Sequence, residues 1–336
     1  MATIGNSYLN LIDLYKRTDP KSGAITPVIE ALHTLNPLMQ DAVAIEANQG
    51  TKHLSTTRTG LPAVTWGKLY QGIPQSKSTT QQVEDTTGFV EGLSFVDNRL
   101  LEISKNPGAV RMSEAQAFLE SMAQDVQTNF FYSDTLTTPE RFKGLGARYN
   151  VTGNSQVIDG GGSGSDNTSI WFVTWGERQT ALIYPEGTKA GVTREDKGEV
   201  RVYDADNNPY YGKEEYFKQH VGVTVGDYRF NARIANIDVS DMLAGSVDLY
   251  GLLRKAYWKL QGRRAQKLDN GGMVSQGRTV IYANRDVLSM LDSATTNASK
   301  VELKPTEVEG KEILTYRGLP IRETDALINA EARVVA

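Results

Sequence analysis

The sequence predicts an α+β fold, and three patterns indicate this class. A long amphipathic helix pattern covers residues 112–131, a mainly β-patterned region covers 168–238, and a second strong helix pattern covers 247–262. Helices and strands do not alternate as they would in a doubly wound parallel sheet, which favours α+β over α/β.

The segment 112–131 is the clearest amphipathic helix. Its apolar residues recur at helical spacing and form one stripe. They are Met112, Ala115, Phe118, Leu119, Met122, Ala123, Val126 and Phe130. Ser113 and Gln116 fit a capping box at its start. A helix about 30 Å long with a single apolar stripe must pack across another part of the protein.

Size and composition limit the possible functions. The chain has 336 residues, of which 39% are hydrophobic and 23% are charged, so it can bury a core and form about two domains. The net charge of −4 argues against a dedicated nucleic-acid binder held by phosphate contacts. It does not argue against a protein that merely encloses nucleic acid.

Cysteine is absent, and the three histidines, His33, His53 and His220, are far apart in the sequence. A thiolate site is therefore excluded, and a multi-histidine metal site is disfavoured. No stretch approaches the roughly 18 apolar residues of a membrane span. The N-terminus lacks the basic start and apolar centre of a secretory signal, so we expect synthesis in the cytoplasm.

The first hundred residues form two segments that cannot bury their own apolar residues. Residues 1–50 alternate short helical patterns with prolines, which predicts an arm that packs on a partner surface, such as another subunit. Residues 51–98 predict a protruding hairpin, with Val64, Trp66 and Tyr70 in one strand. Phe89, Val90 and Leu93 would lie in the other strand, beyond a polar tip at 75–87. Because an isolated hairpin is only marginally stable, it too needs a neighbour.

The remaining chain continues the mixed pattern. GGGSGS at 160–165 predicts a flexible connector or loop tip. A strand is expected at 278–282, after which Asn284 caps a short helix. Residues 312–322 predict two strands joined through Gly-Leu-Pro.

Three local patterns have a structural and a functional interpretation. Asp204, Asp206 and Asn208, with Glu215 at the twelfth position, resemble a calcium loop, but Pro209 replaces the required glycine. A plain Asx turn is the favoured interpretation. The cations at 254–267 indicate either a solvated helix end or a contact with nucleic acid or a neighbouring subunit. These are Arg254, Lys255, Lys259, Arg263, Arg264 and Lys267.

The aromatic residues of the β region indicate core packing or a sugar-binding platform. They are Trp171, Trp175, Tyr184, Tyr210, Tyr211, Tyr216, Phe217 and Tyr228. No carboxylate pair stands in an acid–base context, and the motifs GxSxG, GxGxxG and GxxxxGK[ST] are absent. We therefore predict no catalytic, cofactor-binding or metal-binding residues and no enzymatic activity.

Three separated motifs resemble the major capsid proteins of tailed double-stranded-DNA bacteriophages with the Hong Kong 97-like fold. PERFKGL at 139–145 resembles the run that follows the spine helix in this family. VGDYR at 225–229, continuing through RIANID at 233–238, is similar to a common segment. YRGLPIRETD at 316–325 resembles an element near the C-terminus. The motifs occur in the family's order, and they resemble the podovirus type of these coat proteins.

The resemblance implies a domain organisation. Residues 1–50 would be the N-terminal arm and 51–98 the extended loop. Residues 99–150 and 300–336 would form the peripheral domain with the spine helix, and 151–299 the axial domain. No charged coiled-coil segment stands at the N-terminus, which implies a separate scaffolding protein rather than a fused one.

The resemblance also implies a function: a structural subunit of an icosahedral capsid that forms pentamers and hexamers around double-stranded DNA. Expected partners are copies of itself, a portal protein, a scaffolding protein and a decoration protein, without a membrane or sequence-specific DNA contact. Lys68 and Lys77 are either surface lysines or candidates for the isopeptide crosslink of some relatives. The alternatives are an encapsulin-type shell and, in a different class, a calcium-dependent surface or carbohydrate-binding protein.

Overall fold

The computed structural model describes residues 37–261, 266–267, 273–274, 277–297, 303–308 and 311–335. Within these ranges, side chains are described except at 262–276 and 295–313. The helices predicted within residues 1–36 lie outside the described residues.

The described residues form short helices, one long helix and many strands. The helices are α1 Leu38–Asp41, α2 Asn98–Ile103, α3 Pro107–Tyr132, α4 Leu145–Arg148, α5 Val239–Leu243, α6 Leu249–Lys259 and α7 Arg285–Asn297, with a 3-10 turn at Tyr228–Phe230. The strands are β1 Ala44–Glu46, β2 Lys52–Gly60, β3 Thr79–Asp97, β4 Val157–Asp159, β5 Asn167–Trp175, β6 Thr180–Tyr184, β7 Val192–Tyr203, β8 Pro209–Val225, β9 Ala232–Asp238, β10 Gln266–Lys267, β11 Met273–Val274, β12 Arg278–Ala283, β13 Leu303–Val308, β14 Lys311–Tyr316 and β15 Leu319–Glu323.

The contacts divide the chain into two compact units. The helix–hairpin unit contains the described residues 89–127 and 190–220, and the sheet unit contains 35–88, 128–189 and 221–336. Residues 190–220 thus group with the long helix, whereas the other parts of 151–299 group with the sheet.

The sheet unit is built on β5, whose residues are all buried. This strand pairs antiparallel with β9 and β12, and β12 pairs in parallel with β15. Ile170 and Phe172 pack in one core cluster with residues of α5, α6 and α7. Because side chains alternate along a strand, Trp171 and Trp175 face the opposite side. There they contact Phe131 and Phe130, with ring centroids 6.0 and 5.4 Å apart.

A C-terminal strap, residues 324–335, completes the sheet unit. The Glu331 carboxylate is buried and accepts hydrogen bonds from Tyr132 Oη at 2.6 Å and Arg233 Nη2 at 2.9 Å. The Asn236 side chain donates a hydrogen bond to Val334 O and accepts one from Val334 N, both with N–O distances of 2.8 Å. Burial raises the pKa of Tyr132, and the adjacent Glu331 carboxylate raises it further. The strap is therefore fixed by polar contacts as well as by apolar packing.

The helix–hairpin unit packs the first part of α3 on the antiparallel pair β7–β8 and the end of β3. Val192–Tyr203 pairs with Pro209–Gln219 along its length. Ala115, Met122 and Phe217 form its core cluster, and the rings of Phe118 and Phe217 stack at 5.7 Å. Gly92 allows this approach, since a Cβ there would lie 2.9 Å from Phe118.

The predicted start of the long helix is wrong. The helix begins at Pro107, and Ser113 lies inside it, so Ser113 and Gln116 do not form a capping box. Asn106 supplies the cap, because its Oδ1 accepts a hydrogen bond from Ala109 N at 3.2 Å. Pro107 fits the first helical position, where its missing N–H costs nothing. Met112 and Leu119, assigned to the apolar stripe, are exposed.

Other predicted elements agree with the structure or differ slightly. Asn284 caps α7 through Asp286 N at 3.1 Å, as predicted. The turn between β14 and β15 is Arg317–Gly318 rather than Gly-Leu-Pro. Gly160 and Gly162 are packed rather than free, because their N–H groups donate to Ala235 O and Asn236 O at 2.8 Å.

Candidate functional site: a subunit assembly surface

The predicted hairpin is present, but its strands and tip are placed differently. Strand β2 pairs with Thr79–Thr86 of β3. Val64, Trp66 and Tyr70 lie in the connecting segment 61–78, not in a strand. Most of the polar run at 75–87 is strand. Its pairing with β2 supplies hydrogen-bond partners for the backbone N–H and C=O groups, although its side chains bury little apolar area. We call residues 61–78 the hairpin tip.

Large apolar side chains occupy the hairpin tip, each at least 78% exposed. They are Leu61, Val64, Trp66, Leu69, Tyr70 and Ile73. The tip also contains Lys68 and Lys77, both exposed, and no acidic residue. A group of exposed apolar side chains marks an interaction site, so the hairpin tip is a candidate assembly surface.

The base of the β2–β3 hairpin is fixed within the sheet unit. Asp85 on β3 is buried and forms an ion pair with Arg148 on α4 at 2.7 Å. Arg148 Nη2 also donates to Val223 O at 3.0 Å, and Val225 N donates to the Asp85 carboxylate at 3.3 Å. Helix α4 begins at Leu145, the last residue of PERFKGL, so this motif leads into Arg148, which holds the β2–β3 hairpin.

A second anchor attaches the segment that follows residue 36. Asp41, with a side chain only 1% exposed, forms ion pairs with Arg278 and, at 3.4 Å, with Arg322. Tyr282 Oη donates to Asp41 at 3.1 Å and accepts from Trp175 Nε1 at 2.9 Å. The adjacent β1 pairs in parallel with β6. Residues 37–60 and the base of β3 thus pack on the chain's own body, contrary to the expectation that the first hundred residues have no intramolecular partner.

The helix–hairpin unit has an open sheet face on the side away from α3. Phe89 and Leu93 are more than half exposed on this face. Glu91 accepts a hydrogen bond from Tyr216 Oη, which raises the pKa of Tyr216 to about 12. Lys218 Nζ lies 5.1 Å from the Phe89 ring. This face combines apolar side chains with charges of both signs, a composition typical of a protein–protein interface.

The opposite, buried face holds an ion network that argues against the calcium hypothesis. Glu215 is buried and pairs with Arg111 of α3 and with Arg194 of β7, the latter at 2.7 Å. Glu215 therefore holds α3 on the β7–β8 strand pair. Asp204 closes the β7–β8 turn by accepting hydrogen bonds from Asp206 N and Asn208 N at 3.0 and 2.7 Å. The favoured Asx-turn interpretation is confirmed.

Core packing explains Trp171, Trp175 and Phe217, which are fully buried, whereas Tyr211 and Tyr228 are about half exposed. Within the described residues, no group of three or more His, Cys, Asp or Glu residues could hold a metal ion. Within the same part of the chain, no helix combines the length and the hydropathy needed to cross a membrane.

Comparisons with known proteins agree with this geometry. The family model of major capsid protein GP7 matches residues 20–335. A chain of bacteriophage Epsilon15 is 34% identical over 100% of both chains, with a TM-score of 0.77. The capsid of bacteriophage JBD30 is 9% identical over 96% of both chains, with a TM-score of 0.46. The SrpI encapsulin complex of Synechococcus elongatus is 10% identical over 68% of this chain and 96% of that chain, with a TM-score of 0.44. No curated protein matches the chain.

The predicted α+β class and Hong Kong 97-like capsid fold are confirmed, as is the structural role in a phage capsid. The encapsulin and calcium-binding alternatives are not favoured. Because the family match covers nearly the whole chain and the Epsilon15 similarity covers all of it, the protein belongs to the GP7 family of phage major capsid proteins, the structural subunits of the virion capsid.

Proposed function

We propose that this chain forms the pentamers and hexamers of an icosahedral shell that encloses double-stranded DNA, and that the hairpin tip docks on a neighbouring copy. The observation that carries the proposal is the exposure of six large apolar side chains at one end of an otherwise polar hairpin. Burying each such side chain contributes about 1.5–3 kcal/mol, so repeating one contact around a shell provides large cumulative stability.

The open sheet face of the helix–hairpin unit is the proposed receiving surface on the neighbour. Phe89 and Leu93 offer apolar area, and the face also carries two ion pairs, Glu91 with Lys218 and Glu195 with Lys197. The hairpin tip carries Lys68 and Lys77 without any acidic residue. Apolar burial therefore carries the proposed docking, and a tip lysine placed beside Glu91 or Glu195 favours one orientation over others.

The further partners expected from the family resemblance remain part of the proposal. They are a portal protein, a separate scaffolding protein and a decoration protein, with synthesis of the subunit in the host cytoplasm. The division into an N-terminal arm at 1–50, an extended loop at 51–98, a peripheral domain at 99–150 and 300–336, and an axial domain at 151–299 is likewise proposed.

The hairpin tip can be tested by removal. Replacing residues 61–78 with Asn-Gly shortens the hairpin to a two-residue turn while retaining β2 and β3. We expect the variant to keep its circular dichroism spectrum and unfolding midpoint but to form no closed particles in negative-stain microscopy. Deleting 75–87 instead would remove the buried Asp85, so that deletion would impair folding as well.

A pair of matched triple variants separates apolar docking from tip length. Trp66→Ser, Leu69→Ser and Ile73→Ser remove apolar area, whereas Thr65→Ser, Gln71→Ser and Gln75→Ser change only uncharged polar residues of the same tip. Particles should be lost in the first triple variant and kept in the second. Normal particles from the first triple variant would refute the docking role.

A further inference from the structure

We propose that an exposed cation–aromatic surface at the C-terminal end of α6 binds the phosphate backbone of the enclosed double-stranded DNA. The surface consists of Lys255, Tyr257, Trp258 and Arg317, all within the sheet unit. This inference rests on the proposed function, because it requires DNA inside the shell.

Arg317 is held at this surface by an unusual backbone and by aromatic rings. It lies in the turn between β14 and β15 with φ of 51°, followed by Gly318 with φ of 82°. A residue with a side chain is disfavoured in this conformation, which glycine or asparagine normally occupies. The Arg317 guanidinium lies 5.3 Å from the Tyr257 ring centroid and 6.0 Å from that of Trp258. The rings therefore hold a cation at the exposed side of the turn.

The outer side of α6 supplies the rest of the surface. Trp258 is 59% exposed, although it is the largest side chain of the helix. Lys255 is also exposed and lies three positions earlier, so both residues are neighbours on one helix face. The buried residues Leu252, Leu253 and Ala256 already attach the helix to the core. Core packing thus does not account for the position of Trp258.

Charge identifies the kind of partner. Residues 254–267 carry six cations and no acidic residue, in a chain whose net charge is −4. The side chains of Arg263, Arg264 and Lys267 lie outside the described ones, so the proposal rests on Lys255 and Arg317. The favourable position of a cation in the last turn of a helix explains Lys259 but not Lys255, which lies before that turn. It does not explain Arg317, which comes from another element and meets the same surface.

A polyanion with regularly spaced phosphates fits this surface better than a single carboxylate. Lys and Arg contacts to phosphate oxygens position a protein on a duplex without reading its sequence, and the two rings hold the Arg317 guanidinium in place for such a contact. With two described cations the contact is weak, which agrees with the acidic net charge and allows DNA to pack without tight attachment.

The test compares two double variants with the same change in net charge. Lys255→Glu with Arg317→Glu alters the surface, and Lys143→Glu with Lys189→Glu alters exposed lysines elsewhere in the sheet unit. Binding of a labelled 30-base-pair duplex of random sequence to the purified full-length chain is measured by fluorescence anisotropy at several NaCl concentrations. Each lost phosphate contact lowers the slope of log K against log[NaCl] by about 0.9, so the surface variant should lose about 1.8.

The outcomes are distinct. A shallower salt slope in the surface variant alone, with normal particles in negative-stain microscopy, supports the inference. Equal loss of binding in both variants would show a net-charge effect and overturn it. Loss of particles with unchanged duplex binding would show that a second copy covers the surface, and would also overturn it. Absence of particles from the unaltered chain would instead refute the proposed function.

Discussion

His220 is an ionisable side chain whose surroundings oppose its charge. It lies at the open sheet face, with its ring centroid 5.9 Å from that of Phe89. Burial lowers the pKa of His220, the positive charge of Lys218 lowers it further, and Glu91 acts in the opposite direction. The folded protein therefore favours the neutral imidazole.

This shift predicts a pH dependence of stability. The unfolded chain binds a proton at His220 below about pH 6.5, whereas the folded chain resists binding until a lower pH. Stability from this group is thus present above that value and is lost as the pH falls towards the folded pKa. We expect the unfolding midpoint to decrease less between pH 8 and 5.5 in His220→Gln than in the unaltered chain. Identical pH profiles would contradict the assignment.

Among the secondary-structure elements, the long helix α3 has two candidate N-cap residues, Ser113 and Asn106. The sequence pattern favoured Ser113, but the structure places the first turn at Pro107 with Asn106 as the cap. The cap was predictable in type, since Asn before Pro is a strong start signal. It was missed because residues 107–111 lack the apolar spacing that marked the following segment.

The two caps can be compared by substitution. Asn106→Ala should lower the free energy of unfolding by about 1 kcal/mol, since Ala109 N–H loses its partner. Ser113→Ala should leave stability unchanged or slightly raise it, because alanine is the better helix former in a helix interior. Urea unfolding of both variants provides the measurement. A larger loss in Ser113→Ala would restore the cap predicted from the sequence.

In the β2–β3 hairpin, the strands lie at other positions than the sequence pattern predicts. Apolar residues at 64–70 resembled a strand because buried strands are usually apolar. In the structure the polar segments pair instead, and the apolar residues stand at the hairpin tip. A single chain gives no pattern that separates an apolar residue buried within its own fold from one reserved for another copy.

At the scale of the whole molecule, Asp41 connects distant parts of the chain. Its partners Arg278 and Arg322 lie more than 230 positions later in the sequence. The two arginines belong to the neighbouring parallel strands β12 and β15, so one buried carboxylate neutralises two cations. The segment after residue 36 is thereby fixed to the central sheet.

Removing this charge should have a large effect. Asp41→Asn removes the anion that Arg278 and Arg322 share, and because both arginines keep contact with water we expect a loss of about 1.5–3 kcal/mol in the free energy of unfolding. Hydrogen exchange should also increase in residues 37–47. Glu84→Gln is the matched control, since Glu84 pairs with Lys52 at the surface with both side chains about half exposed, and should cost less than about 1 kcal/mol. Equal losses in the two variants would show that the buried Asp41 carboxylate stabilises the fold no more than a surface ion pair does.

The amino-acid pattern was enough to predict the α+β class, the long helix, the β2–β3 hairpin, the family resemblance and the Asx turn at 204–208. Each depends on local spacing or on a short motif, which the chain carries without reference to its fold. The folded arrangement sets the buried pairs of Asp41, Asp85, Glu215 and Glu331, because each joins residues far apart in sequence. It also decided which apolar side chains stay exposed, since burial depends on which elements pack together.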